Sequence, residues 1–329
     1  TPKDSVINAW WDYGHFFKTL SGRRVIFDPQ SQHMTLSYWM AQVLLTKNEN
    51  EAINILRMLN NSSSTLFEEM QAEIKDDFQR IALLKRVLNS NEKEAREILG
   101  KQNISDKLKE KIMDTIFFKK PAPAYFVVDK SMIFKMYNIS FLGNWNFSKV
   151  YVLKNNNLPK NKVIEGLMEI FSLSKEQAEN IYSETILATT EDELNEILSS
   201  RYSIKFVVEK GRENNGVVYF DNGIVLNLAD FSARALSIGE GYKKYRNVFV
   251  HDNNKISLYE DKDADYKEGM LFFKNNNEWK GVGLTKDLAQ SLFAKLYFFG
   301  GLDLKYFEPF YIDKDGGMYI YKIKWPVNE

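Results

Sequence analysis

Residues 10–14 read Trp-Trp-Asp-Tyr-Gly, a stretch rich in groups that can recognise a ligand. Trp10 and Trp11 are followed directly by the carboxylate of Asp12, the phenol of Tyr13 and the permissive backbone of Gly14. Only 6 of the 329 residues are Trp, so an adjacent pair is unusual for this composition. The apolar run Ser5-Val6-Ile7-Asn8-Ala9 just before it predicts a strand. Side chains at a strand end are held by the sheet behind them and can still face a ligand, so large aromatics and an acid there point to a recognition site. The competing reading is packing: a Trp pair beside a strand commonly fills a core, with Asp12 capping the next helix.

Few other chemistries are open to this chain. Cysteine is absent, which excludes disulfides, thiolate metal sites and a cysteine nucleophile. The three histidines, His15, His33 and His251, have no metal-ligand spacing, and no nucleophile–His–acid arrangement is visible. Asp261-Lys262-Asp263-Ala264-Asp265 is similar to the start of a calcium loop. Tyr266 stands where that turn needs Gly, and the distal Glu is missing, so a solvated loop is expected. Lys and Arg total 44, as do Asp and Glu, a balance that argues against nucleic acid as a partner.

These residues need elements to position them. Residues 1 to about 120 show helical periodicity, with capping-box spacing at Thr46 to Glu49 and Thr65 to Glu68 and helix ends near Gly100 and Lys120. Tyr125 to Val128 predicts a buried strand, followed by a segment from Asp129 to Phe141. Residues 160–200 are again helical, starting at Ser174 to Gln177 and Thr190 to Glu193. From Ile204 to about Lys280 the pattern changes to short strands, with Asp221-Asn222-Gly223 as a hairpin turn. One helix from Thr285 through Phe299 and a hairpin turning at Asp313 to Gly317 close the chain. The expected class is α+β: a mainly helical core carrying residues 10–14, with a β-rich, barrel- or sandwich-like inserted region. The expected division is a core at 1–150, a helical segment at 151–203, a β-rich insertion at 204–280 and a return to the core at 281–329. No apolar run approaches the roughly 20 residues of a membrane-spanning helix. No signal peptide opens the chain, so a soluble fragment of a longer protein is expected.

Trp10-Trp11-Asp12-Tyr13-Gly14 also resembles the WWDYG signature of the catalytic subunit of oligosaccharyltransferase, the membrane enzyme that glycosylates Asn in Asn-x-Ser/Thr sequons. Three further stretches are similar to that family in the same order. They are Arg23 to Asp28 with Ser31-Gln32 and the helix from Tyr38 to Leu45, then residues 125–142, then Ser291 to Phe299 with Gly301. The likeness points to the C-terminal globular domain of the prokaryotic single-subunit type. It implies that Trp10, Trp11 and Asp12 bind the sequon Ser or Thr, supported by Tyr13 and Gly14.

A second recognition motif is expected in the third stretch, as Asp-x-x-Lys in eukaryotic and many archaeal members and Met-x-x-Ile in bacterial ones. Two registers fit. Met132-x-x-Lys135, with Ile139 four residues on, joins the bacterial Met to the Lys of the other class, and the alignment of the aromatic-rich tail Phe141 to Phe147 favours it. Asp129-x-x-Met132, with Met136 four residues on, is a mixed form. Met132 and Met136 also suit a purely gap-filling role in a core.

The resemblance further implies an acceptor polypeptide and a lipid-linked oligosaccharide as partners, an N-terminal transmembrane domain, an extracytoplasmic location, and Mn²⁺ or Mg²⁺ in the full-length enzyme. It places no catalytic residue, metal site or cofactor in this stretch, which alone is expected to transfer no glycan. The alternative is an extracytoplasmic carbohydrate- or protein-binding module, since 14% of residues are aromatic and can offer flat faces to sugars.

Overall fold

The computed structural model describes residues 2–326 except 32, 63–64, 203, 253–254, 276 and 314–316. Gln32 and the tip of the expected 313–317 turn therefore lie outside the described residues. A five-stranded mixed sheet organises the core, in the order Phe307–Ile312, Met318–Ile323, Ala124–Asp129, Val6–Asn8, Arg24–Val25. Val6–Asn8 pairs in parallel with both neighbours, and Met318–Ile323 returns antiparallel against Ala124–Asp129. All six residues of Ala124–Asp129 are buried, which is why this segment reads as a continuous apolar run.

Helix Met34–Leu45 packs at the centre, with nine buried residues spread around its circumference. Helix Ser131–Gly143 lies against it at Gly143, where a Cβ would come within 2.5 Å of Leu45 Cδ1 and 2.9 Å of Ala41 Cβ. Helices Glu49–Ser62, Asp77–Leu88 and Asp106–Ile116 complete this core. The expected caps at Ser174 and Thr190 are both present as full capping boxes. Thr46 is not a cap: its helix starts at Glu49, Asn48 Oδ1 accepts from Asn50 N–H, and the Thr46 hydroxyl donates to Glu51 at 2.5 Å. The expected helix 285–299 is two short ones, Lys286–Ala289 and Leu292–Tyr297. The break falls at buried Ser291, whose hydroxyl donates to Leu288 O at 2.7 Å and accepts from Ala294 N–H at 3.2 Å, so it caps a new helix rather than continuing the old one.

The β-rich region is a closed barrel. Seven strands, Phe206–Asn214, Val217–Tyr219, Ile224–Asn227, Ala233–Ser237, Gly241–Asp252, Tyr266–Asn275 and Glu278–Leu284, form an unbroken ring. Six of the pairings are antiparallel, and the ring shuts through a parallel pairing of Gly241–Asp252 with Tyr266–Asn275. Strand alternation divides side chains between two interiors. Val248, Val250, Met270 and Phe272 fill the barrel, while Phe249 and Leu271 between them join the helical core. Asp261 accepts from Asp263 N–H and pairs with Lys244 at 3.4 Å. Among the described residues no helix is long and apolar enough to cross a membrane.

Candidate functional site

The strand that leads into residues 10–14 is locked by two buried asparagines. Asn60 Nδ2, on helix Glu49–Ser62, donates to Asn8 Oδ1 at 3.0 Å, and Asn8 Nδ2 donates to Tyr125 O at 3.3 Å. A buried amide must find such partners or lose stability. This pair fixes the strand to both the helix and the adjacent strand, two residues before Trp10.

The Trp pair divides between two tasks. Trp10 is 4% exposed and meets Phe27 edge-to-face at 5.3 Å, so packing accounts for most of its ring. Trp11, Asp12 and Tyr13 form a half-buried 3-10 turn, and helix Gly14–Ser21 follows at once. Gly14 is demanded by proximity: a Cβ there would lie 2.5 Å from Asp28 Cβ and 2.6 Å from Phe27 O. The loop after Phe27 is tied down in turn. Asp28 Oδ1 accepts from Gln30 N–H at 3.0 Å and Ser31 N–H at 2.8 Å, and Lys18 Nζ stands 3.5 Å from Oδ2. Burial alone would raise the Asp28 carboxyl, but the Ser31 hydrogen bonds and the Lys18 charge outweigh it and hold it below its ordinary value.

Asp12 caps no helix; neither the 3-10 turn nor helix Gly14–Ser21 has a side-chain cap. Its Oδ1 instead meets Lys135 Nζ at 2.9 Å. Lys135 also donates to Ser131 Oγ at 3.0 Å and sits 5.5 Å from the Tyr13 ring centroid. The ion pair is 24% exposed at Asp12 and 29% at Lys135, so solvent screens it less than a surface pair. The second oxygen, Asp12 Oδ2, is buried and accepts from no group among the described residues. Neither indole N–H of Trp10 or Trp11 donates to another described residue.

Of the residues in the second motif, Lys135 is the one that reaches the Trp-Trp-Asp turn. Met132, Met136 and Ile139 lie on the adjoining, buried side of helix Ser131–Gly143, at most 1% exposed, within the main core. Met132 thus has almost no surface to offer a ligand. Asp129 is buried, and its Oδ1 accepts from Ser131 N–H at 2.8 Å where the helix starts. Sequence reading missed Ser131, Asn8, Asn60 and the Lys18–Asp28–Ser31 knot. Ser131 stands four residues before Lys135, a spacing that places both on one helix face and was the available signal. Among the described residues no three His, Asp or Glu side chains converge as a metal site.

Residues 3–149, which include the turn and helix Ser131–Gly143, match the STT3/PglB/AglB core domain model. The dolichyl-phosphooligosaccharide-protein glycotransferase of Methanocaldococcus jannaschii is 27% identical over 94% of this chain and 30% of its own length. The protein of the same name from Methanococcus voltae is 29% identical over 45% of this chain and 17% of its own length. The chain therefore spans less than a third of either relative. The crystal structure of the C. jejuni pglb C-terminal domain aligns over 98% of this chain and 95% of its own, at 14% identity and a TM-score of 0.45. Trp10 to Gly14 and Lys135 all lie inside the segment, residues 3–149, that matches the STT3/PglB/AglB core domain.

Proposed function

We propose that the turn at Trp11–Tyr13 and helix Ser131–Gly143 bind the hydroxyl side chain of Ser or Thr in an Asn-x-Ser/Thr acceptor. The observation that carries this reading is the asymmetry of Asp12: Oδ1 is held by Lys135, and Oδ2 is buried with no donor. A buried carboxylate oxygen without a partner costs stability, and a hydroxyl that donates to it recovers that cost. A hydroxyl also accepts, and the Trp11 indole N–H is free to donate. Trp10 anchors the turn through Phe27. The Lys135 stem and the Tyr13 ring supply the apolar wall that a Thr methyl needs. Asp12 acts here as a binding residue, with no proton transfer assigned to it.

Two relatives are named as glycotransferases, and each extends far beyond the span matched here. In this reading, glycan transfer, the lipid-linked oligosaccharide and the membrane-embedded part belong outside these 329 residues, and this stretch lies on an extracytoplasmic face. Mn²⁺ or Mg²⁺ does not fit the described side chains, which offer no cluster of three ligating groups. No step of recognition uses a metal, and the chain alone is expected to transfer no glycan.

The test compares full-length wild type with Asp12→Asn in membranes, with a lipid-linked donor and an Asn-x-Thr peptide. The amide keeps the shape but loses the carboxylate and its pair with Lys135. Transfer should fall by about tenfold or more, as for a buried charge-assisted hydrogen bond. Unchanged transfer by a folded Asp12→Asn protein would end the sequon-binding reading.

A further inference from the structure

A second polar cavity, about 470 Å³, lies away from the Trp-Trp-Asp turn, where the end of helix Asp77–Leu88 faces residues 143–148 and Tyr202. Its volume falls in the range of small-ligand clefts. Lys85, Arg86, Gln42, Asn144, Trp145 and Tyr202 are among its lining residues, and no Asp or Glu is.

The two cations set this cavity apart. Lys85 and Arg86 occupy the last turn of their helix, where the helix dipole favours positive charge. That accounts for their sign but not for their isolation. Among the described residues neither side chain has an ion pair or hydrogen bond, although the chain forms many such pairs elsewhere. Lys85 is largely withdrawn from water, and this burial lowers its proton affinity even though Glu51 works in the other direction. A desolvated cation with neither an ion pair nor a hydrogen bond weakens the fold. An anion placed between the two side chains would remove that cost.

The remaining walls have a consistent chemistry. Trp145 offers an aromatic face and an indole N–H that donates to no described residue. Asn144 Nδ2 donates to Ser200 O at 2.7 Å, and Gln42 Nε2 donates to Gly143 O. These bonds fix both amides and leave their oxygens as acceptors for hydroxyl groups. Aromatic faces with fixed amides suit a ring carrying several hydroxyls, and the cations suit a carboxylate on that ring.

We propose that this cavity binds an anionic sugar unit of the uronate type, its carboxylate between Lys85 and Arg86 and its ring against Trp145 and the amides. A peptide carboxylate would satisfy the cations but leave the aromatic and amide walls without a partner.

The experiment titrates the 329-residue chain with D-glucuronate, methyl β-D-glucuronide, D-glucose and a short acidic peptide, following the Trp145 indole N–H by NMR. Saturable binding of glucuronate or its glycoside, weakened by salt and at least about tenfold tighter than glucose, is expected. A preference for the glycoside marks a sugar within a glycan, and a preference for the free acid marks a monosaccharide. Lys85→Gln and Arg86→Gln should each raise the Kd by about tenfold or more, with Arg86→Lys intermediate. Lys85→Gln should leave Tm unchanged or raised, which a merely structural lysine would not do. Equal binding of glucose and glucuronate, no response at Trp145, or a response to the peptide alone would overturn the proposal.

Discussion

Lys135 Nζ stands 2.9 Å from Asp12 Oδ1, while the other oxygen of the same carboxylate is buried with no donor. In the proposed role, the first oxygen orients the group and the second takes the ligand hydroxyl. Lys135→Met removes the orienting contact and leaves a half-buried carboxylate without its counter-charge. It should cost ~1–3 kcal/mol of stability and weaken Thr-peptide binding, whereas Lys135→Arg should retain much of both. Chemical denaturation and peptide titration of the same variants check this, and full binding by Lys135→Met would show that the pair does not shape the site.

Gly14 is needed because the Asp28 backbone passes against its Cα, not because of an unusual φ. Gly14→Ala should destabilise the chain by ~1–3 kcal/mol as the loop is pushed away. Gly100→Ala is the control, since a Cβ there meets nothing within 4 Å and the residue is helical. It should be neutral or stabilising by up to ~1 kcal/mol. Equal effects at the two sites in urea melts would refute the close-approach explanation.

The Asn8–Asn60 pair should behave as one unit. Asn60→Ala leaves Asn8 Oδ1 buried without that donor, at ~1–3 kcal/mol, and Asn8→Ala has a similar cost. The double variant should lose clearly less than the sum of the singles, with a coupling of ~0.5–3 kcal/mol. Additive losses in a double-mutant cycle would mean that the two amides act separately.

Asp28 makes stability depend on pH in the acid range. Its folded carboxyl is held below the ordinary 3.8, so the folded state binds that proton less readily than the unfolded chain. The stabilisation is complete above the unfolded value and is lost as pH falls through the depressed folded one. Asp28→Asn should flatten the acid limb of a stability–pH curve below about pH 4 while lowering stability at pH 7. An unchanged acid limb would place the titration elsewhere.

Much of this architecture is local in origin and could be read from the chain. The capping boxes at Ser174 and Thr190 and the hairpin at Asp221-Asn222-Gly223, with Gly223 at φ 82°, each depend on neighbours within four residues. Barrel closure was not legible, because it rests on a parallel pairing between strands that do not follow one another in sequence. The break at Ser291 was hidden because Ser291 suits both a helix interior and a cap, and the choice is made by burial against the core. At the site, the signature residues stood out by type. The partner of Asp12 did not: two registers of the second motif fit the sequence, with the Met132-x-x-Lys135 one favoured, and neither shows that Lys135 reaches Asp12 while Met132, Met136 and Ile139 stay in the core. Asn60 lies 52 residues from Asn8 and carries no local signal at all.

The central claim, that Asp12 reads the sequon hydroxyl, is tested most directly by a cycle across the interface. Full-length wild type and Asp12→Asn are each assayed for transfer to Asn-x-Thr and Asn-x-Val peptides with the same lipid-linked donor. Thr and Val share a shape and differ in the hydroxyl, so the cycle isolates that contact. Wild type should prefer Thr over Val by at least about tenfold, and Asp12→Asn should lose most of that preference. The same preference for Thr in both proteins would contradict the assignment and leave Asp12 as a structural partner of Lys135.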